Sequence, residues 1–176
     1  NAPADSFSII RLKTGNGGSK AYISGYEDGT FRPDNTITRA ETAAIIARCS
    51  ADFDENKMYA SDFTDVSDNE WYANYVGYAA EKGYIHGYEG GPFKADIDIT
   101  RGELAVILSK YGSFDGDGIC TEFSDVPNDY YATEYIKALY DENIVSGYED
   151  GTFKPDNSVT RAEAVTMMNK VLGNPT

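Results

Sequence analysis

Three arginines stand in one four-residue frame: Thr38-Arg39-Ala40-Glu41, Thr100-Arg101-Gly102-Glu103 and Thr160-Arg161-Ala162-Glu163, at offsets of 62 and 60 residues. Thr-x-x-Glu is a capping box, in which the threonine hydroxyl accepts the N–H three residues on and the glutamate reaches back. Each arginine therefore falls on the first residue of a helix. A cation there opposes the helix macrodipole by about 0.3–1 kcal/mol. Recurrence at three sites calls for a reason, and two are open. Guanidinium and free helix-start N–H groups could form an anion site suited to a carboxylate. Alternatively, each arginine pairs with an aspartate of a neighbouring repeat, Asp65 or Asp125, and ties repeats together.

Two further blocks share the period. Phe63-Thr64-Asp65-Val66 and Phe123-Ser124-Asp125-Val126 are each followed by an aromatic eight residues after the phenylalanine, Trp71 or Tyr131. An aromatic face stacks on a sugar ring, or else anchors a helix in the core. Asp65 and Asp125 could accept sugar hydroxyls or fix the start of the following helix. Gly25-Tyr26-Glu27-Asp28-Gly29-Thr30-Phe31-Arg32-Pro33-Asp34 recurs at 147–156 and, degraded, at 87–96. This stretch reads as a turn, with Asp28 and Asp150 as turn residues first and ligand candidates second. Gly25, Gly87 and Gly147 allow close backbone approach or positive φ, a property that a binding wall would also use. In the middle copy Gly90, Pro92 and Ala95 replace Asp, Thr and Pro, so its turn is expected to be reshaped.

The elements that must position these residues follow from periodicity. Leu104, Ile107, Leu108 and Tyr111 keep helical spacing behind the second capping box, and Ala164, Met167, Met168 and Val171 behind the third. A lead helix is expected before each turn. It would be capped by Ser67-x-x-Glu70, with Trp71, Tyr75, Val76 and Ala79 as its apolar stripe, matched by Tyr131, Tyr135, Ile136 and Leu139. The first repeat lacks this helix: Gly15-Asn16-Gly17-Gly18 would break it, and Phe7 to Lys13 reads as an isolated strand or extended arm. Two short helices cannot bury both faces alone, so the repeats are expected to pack together.

Composition narrows the function. Fifteen basic against 29 acidic residues give a net charge of −14, which argues against nucleic acid and against a polybasic membrane contact. No apolar run approaches the roughly 18 residues of a membrane span. The chain does not open on a signal peptide, so any secreted form is expected to have been trimmed or excerpted. One histidine and two cysteines leave little for metal or Cys/His catalysis, and no cofactor or enzyme activity is expected. Cys49 and Cys120 are disulfide candidates whose approach spacing alone cannot establish. Asp115-Gly116-Asp117-Gly118 hints at calcium, but Ile119 occupies the next ligand position and the EF-hand pattern fails.

The Phe-x-Asp-Val…Trp-Tyr-Ala, Gly-Tyr-x-Asp-Gly-Thr-Phe-Arg-Pro and Ile-Thr-Arg-Ala-Glu motifs resemble S-layer homology modules over roughly residues 20–172. The resemblance implies a mainly α fold: three tandem helix–loop–helix repeats with pseudo-threefold symmetry. It divides the chain into an arm, 1–21, and repeats at 22–52, 53–114 and 115–176, with 21–173 one compact domain. It also implies an extracellular place on the bacterial surface and non-covalent binding of secondary cell-wall polysaccharide, often pyruvylated, in inter-repeat grooves. Arg39, Arg101, Arg161, Trp71, Tyr131, Asp65, Asp125, Gly25, Gly87 and Gly147 would line them. Repeat one lacks its lead helix and repeat two is degraded, so one or two competent grooves are expected. The alternative is a self-assembling surface subunit, whose partner is a second copy of itself.

Overall fold

The structure, a computed structural model, describes residues 8–13, 19–116, 118, 120 and 122–173, with the backbone alone over 8–13 and 19–21. Gly15 to Gly18, residues 1–7 of the arm, and Asp117 and Ile119 lie outside the described residues.

The chain is mainly helical, as the repeats require. Two strands, β1 (Ser8–Lys13) and β2 (Ser19–Ser24), precede five helices: α1 (Arg39–Cys49), α2 (Ala73–Glu81), α3 (Arg101–Gly112), α4 (Thr133–Asp141) and α5 (Arg161–Val171). The three capping boxes form as read. Thr38, Thr100 and Thr160 each accept from the backbone N–H of Glu41, Glu103 or Glu163, and each glutamate returns the bond. Behind them Leu104, Ile107 and Leu108, and Ala164, Met167 and Met168, are buried.

The lead helices begin later than expected. α2 starts at Ala73 with Tyr72 as N-cap, and α4 at Thr133 with Ala132, neither capped by a side chain. Ser67 and Glu70 form a turn instead, with the Glu70 N–H on the Ser67 carbonyl at 3.0 Å. Trp71 and Tyr131 therefore precede their helices and leave the apolar stripe. Tyr72 and Ala132 are buried beside them, as are Val76, Ala79, Ile136 and Leu139.

At the register of the missing lead helix stands a β-hairpin. β1 is not isolated: it pairs antiparallel with β2, with register shifts between Ser8 and Arg11. β2 packs on α1 and buries Tyr22 and Ile23. The described residues of the expected 1–21 arm, 8–13 and 19–21, thus belong to the hairpin.

Asn1–Ile97 and Asp98–Thr176 form two compact units. The boundary falls within repeat two, between its turn and its capping-box helix. The cause is helix pairing: α1 packs on α2 and α3 on α4, so each capping-box helix partners the lead helix of the following repeat.

Candidate functional site

In the first unit α1 and the turn after α2 build one wall. The Arg39 N–H donates to the Ile97 carbonyl (3.0 Å) and the Ala40 N–H to Ala95 (2.9 Å). The second unit repeats the arrangement: Arg101 donates to Asn157 (2.9 Å) and Gly102 to Pro155 (2.8 Å). With the next N–H held by the capping threonine, these helix starts have no free donors. The free helix-start N–H groups that an anion site would need are taken at Arg39 and Arg101, because the next turn supplies carbonyls to them.

The arginine side chains are buried, Arg39 at 6%, Arg101 at 4% and Arg161 at 3% exposure. Arg39 donates through Nε to the Phe93 carbonyl (2.9 Å) and through Nη2 to the His86 carbonyl (2.7 Å). Arg101 donates through Nε to the Phe153 carbonyl (2.9 Å) and pairs with Glu163 Oε1 (3.1 Å). Each guanidinium also lies over two rings, Tyr88 and Phe93 at 4.7 Å, or Tyr148 and Phe153 at 5.1 and 4.6 Å. A desolvated cation over aromatic faces is held by the ring quadrupole as well as by hydrogen bonds. Arg39 and Arg101 are clamps on the turn.

Asp65 and Asp125 serve the same turns. Asp65 accepts the Phe93 N–H (2.6 Å) and Lys94 N–H (2.8 Å), one on each oxygen; Asp125 accepts those of Phe153 (2.7 Å) and Lys154 (2.8 Å). Burial alone would raise the Asp65 carboxyl, but the two N–H donors leave it below its ordinary range. Each bond pair pins a left-handed residue, Lys94 at φ 56° or Lys154 at φ 57°. Gly87 and Gly147 do not take positive φ. A Cβ there would meet the Phe63 ring at 2.8 Å or the Phe123 ring at 2.5 Å, so close approach is what glycine provides. Gly25 precedes the first turn, in a chain segment with no preceding Phe-x-Asp-Val block.

The turns close alike. Tyr26, Tyr88 and Tyr148 each donate an N–H at 2.8 Å to the carbonyl four residues on. The middle turn is therefore not reshaped in its hydrogen bonds; Gly90 joins Gly91 at positive φ, whereas its sisters need only Gly29 or Gly151. Its charge does change. Asp28 accepts the Thr30 hydroxyl (2.6 Å) and Arg32 (2.7 Å), and Asp150 accepts Thr152 (2.5 Å) and Lys154 (3.5 Å). The threonine hydroxyl first, then the cation, holds the Asp28 carboxyl far below its usual range. Gly90 offers no carboxylate, so Lys94 loses the partner its sisters have. Its ammonium lies 4.5 Å over Tyr88.

Four large rings among the described residues are exposed, Tyr140 and Tyr148 at 38% each and the two ahead of the lead helices. Trp71 is 40% and Tyr131 58% exposed. Trp71 meets Tyr72 and Tyr75 edge to face, and Tyr131 lies 4.6 Å from Tyr130. The core-anchor reading fails for both.

Tyr88, Tyr148 and Tyr130 were not singled out by the sequence, although Gly-Tyr recurs in every turn. Cys49 and Cys120 are both free thiols. Each is held in its own unit, and burial pushes the Cys120 thiol up, toward the protonated, unreactive form. No group of three His, Cys, Asp or Glu among the described residues could hold a metal ion. No helix among them is long and apolar enough to cross a membrane.

The S-layer homology domain matches residues 19–43, 62–105 and 122–165. Cell surface glycoprotein 1 of Acetivibrio thermocellus is 38% identical over 167 residues, 89% of this chain and 7% of the relative. The cellulosome-anchoring protein of the same organism is 36% identical over 166 residues, 90% of this chain and 37% of the relative. Amylopullulanase of Thermoanaerobacterium thermosulfurigenes is 30% identical over 161 residues, 88% and 8%. The chain thus spans between 7% and 37% of these relatives. The chain belongs to the S-layer homology family.

Proposed function

We propose that this chain anchors a bacterial surface protein non-covalently to the cell wall, outside the cell, by binding secondary cell-wall polysaccharide. The carrying observation is the pair of exposed rings, Trp71 and Tyr131, at equivalent positions ahead of two lead helices. An exposed ring on a packed base stacks on a sugar at little ordering cost. The relatives' names support the anchoring sense. The matching segment occupies 7% of a surface glycoprotein, 37% of an anchoring protein and 8% of an amylopullulanase, so what they share is not one reaction.

The residues divide by role. Trp71 and Tyr131 stack. Arg39, Arg101, Asp65, Asp125, Gly87 and Gly147 hold the turns that stand beside them, as positioning residues. Arg161 and Gly25 are their sequence counterparts in the third and first repeats. Lys94, without the turn carboxylate that binds Arg32 and Lys154, meets anionic substituents of the polymer, pyruvate ketals among them. A chain of net charge −14 repels an anionic polymer at long range, so moderate salt should strengthen the approach while weakening the Lys94 contact.

The test is retention on Gram-positive cell-wall sacculi, intact and acid-stripped of secondary polymers. Retention on intact walls, lost on stripping and weakened by Trp71→Ala or Tyr131→Ala in a folded protein, is expected. Equal retention on stripped walls would exclude the polysaccharide.

A further inference from the structure

Gly102 is the second residue of α3, where the sister helices carry Ala40 and Ala162. Glycine weakens a helix relative to alanine, and Gly102 is not among the positive-φ residues, so its backbone conformation does not require it. Nor does the carbonyl it faces. Ala40 makes the equivalent bond to Ala95 with its Cβ in place, at 2.9 Å against 2.8 Å for Gly102 on Pro155.

What differs is the pair of side chains beside it. A Cβ on Gly102 would lie 2.8 Å from Tyr130 Oη and 3.3 Å from Tyr131 Oη. At the matching positions the first unit has Glu70 and Trp71. Tyr130 packs on Tyr131 at an interplanar angle of 45° and donates its hydroxyl to Asp156 at 2.9 Å. The Tyr130 hydroxyl is the flexible end that a methyl group would displace, and Tyr131 rests on its ring.

We propose that Gly102 is a positioning residue for the second unit: by lacking a Cβ it seats Tyr130 beneath Tyr131 and so fixes the exposed Tyr131 ring as a sugar-stacking surface. Glycine with Tyr-Tyr and alanine with Glu-Trp are then matched sets, giving the two units differently shaped platforms. This inference rests on the wall-binding reading above.

The test uses the whole chain with Trp71→Ala, so that retention on intact sacculi reports the second unit. Adding Gly102→Ala should lower retention about tenfold. Adding Tyr130→Phe, which removes the oxygen nearest the new methyl, should return it to within about twofold of the Trp71→Ala parent. A ligand-free readout accompanies it. Burial, with the Tyr131 and Asp156 contacts, holds the Tyr130 hydroxyl well above the ordinary tyrosine range. Ultraviolet titration of Gly102→Ala should therefore show one more tyrosine ionising near the ordinary value of about 10. Unchanged retention in Gly102→Ala, or a loss that Tyr130→Phe does not rescue, overturns the inference alone. So does a Trp71→Ala parent that no longer pellets while wild type does. A wild type that fails to pellet overturns the wall-binding reading and this role with it, even if the titration shifts as expected.

Discussion

The two units use one plan and fill it differently. Both lay a buried arginine across a turn, pin that turn with an aspartate and set an aromatic ring ahead of a lead helix. The first unit adds an aromatic cluster, Phe53, Tyr59 and Tyr78, with Tyr75 and Tyr84 against it. The second has Ala138 in place of Tyr78. Both bring a loop onto the lead helix, with glycine at the contact on opposite partners. In the first unit Gly77 lies on α2 against the Tyr59 backbone; in the second Gly116 lies on the loop against the Glu134 backbone. Of the turns that follow the lead helices, the first unit's leaves its cation, Lys94, without the carboxylate that Asp150 gives Lys154 in the second. Chain geometry is thus repeated, whereas apolar content and surface charge drift.

The comparison is broken most sharply at the two glycines. A Cβ on Gly77 or Gly116 would overlap backbone atoms, which cannot yield as a side chain tip can. Gly77→Ala and Gly116→Ala should each cost about 3 kcal/mol or more in urea unfolding. A loss in one unit only would show that the contacts are not equivalent.

Next come the clamps. Arg39→Ala removes the donors to the Phe93 and His86 carbonyls, and Arg101→Ala removes the donor to the Phe153 carbonyl and the cation beside Glu163. Each should lower stability by about 3 kcal/mol, read from the same denaturation curves. A loss under about 1 kcal/mol at Arg39 would mean the first unit's turn stands without its clamp.

Asp65→Asn should cost less, about 1 kcal/mol, because the site is exposed and an amide keeps one acceptor. The sign of its pH dependence follows from the lowered carboxyl. A depressed folded pKa contributes stability above the unfolded value of about 3.9, lost as pH falls through the folded value. Wild type should weaken below about pH 4, and Asp65→Asn should flatten that limb. An unchanged limb would assign it to other carboxylates.

The smallest effect on folding is expected at Lys94. Lys94→Gln should change stability by less than about 0.5 kcal/mol and still reduce retention on sacculi severalfold. Lys154→Gln, whose cation is already paired with Asp150, should reduce it less. Equal effects of the two changes would remove the charge distinction between the units.

Much of this was legible in the residues. Thr38, Thr100 and Thr160 mark their helix starts to the residue, because a capping box is a local bond between neighbours in sequence. The turn tyrosines and glycines are local in the same sense. Ser67 and Glu70 present the same pattern and form no cap: the chain between them turns, and α2 starts only at Ala73. The burial of Tyr72 rather than Trp71 could not be read from an apolar stripe in which both fit.

Residue types and their spacing establish three ordered blocks, their period, the capping-box helices and the turn that precedes each. These are short-range matters of φ preference, local hydrogen bonding and apolar spacing. Tertiary structure decided where the arginines end, which carbonyls close the helix starts, which aromatic faces solvent and which helix partners which. Those outcomes depend on groups distant in the chain, such as the Phe93 carbonyl, 54 residues from Arg39, or the Phe153 carbonyl, 52 residues from Arg101. Burial fixes them, because a desolvated guanidinium or N–H must find an acceptor wherever the packed chain supplies one.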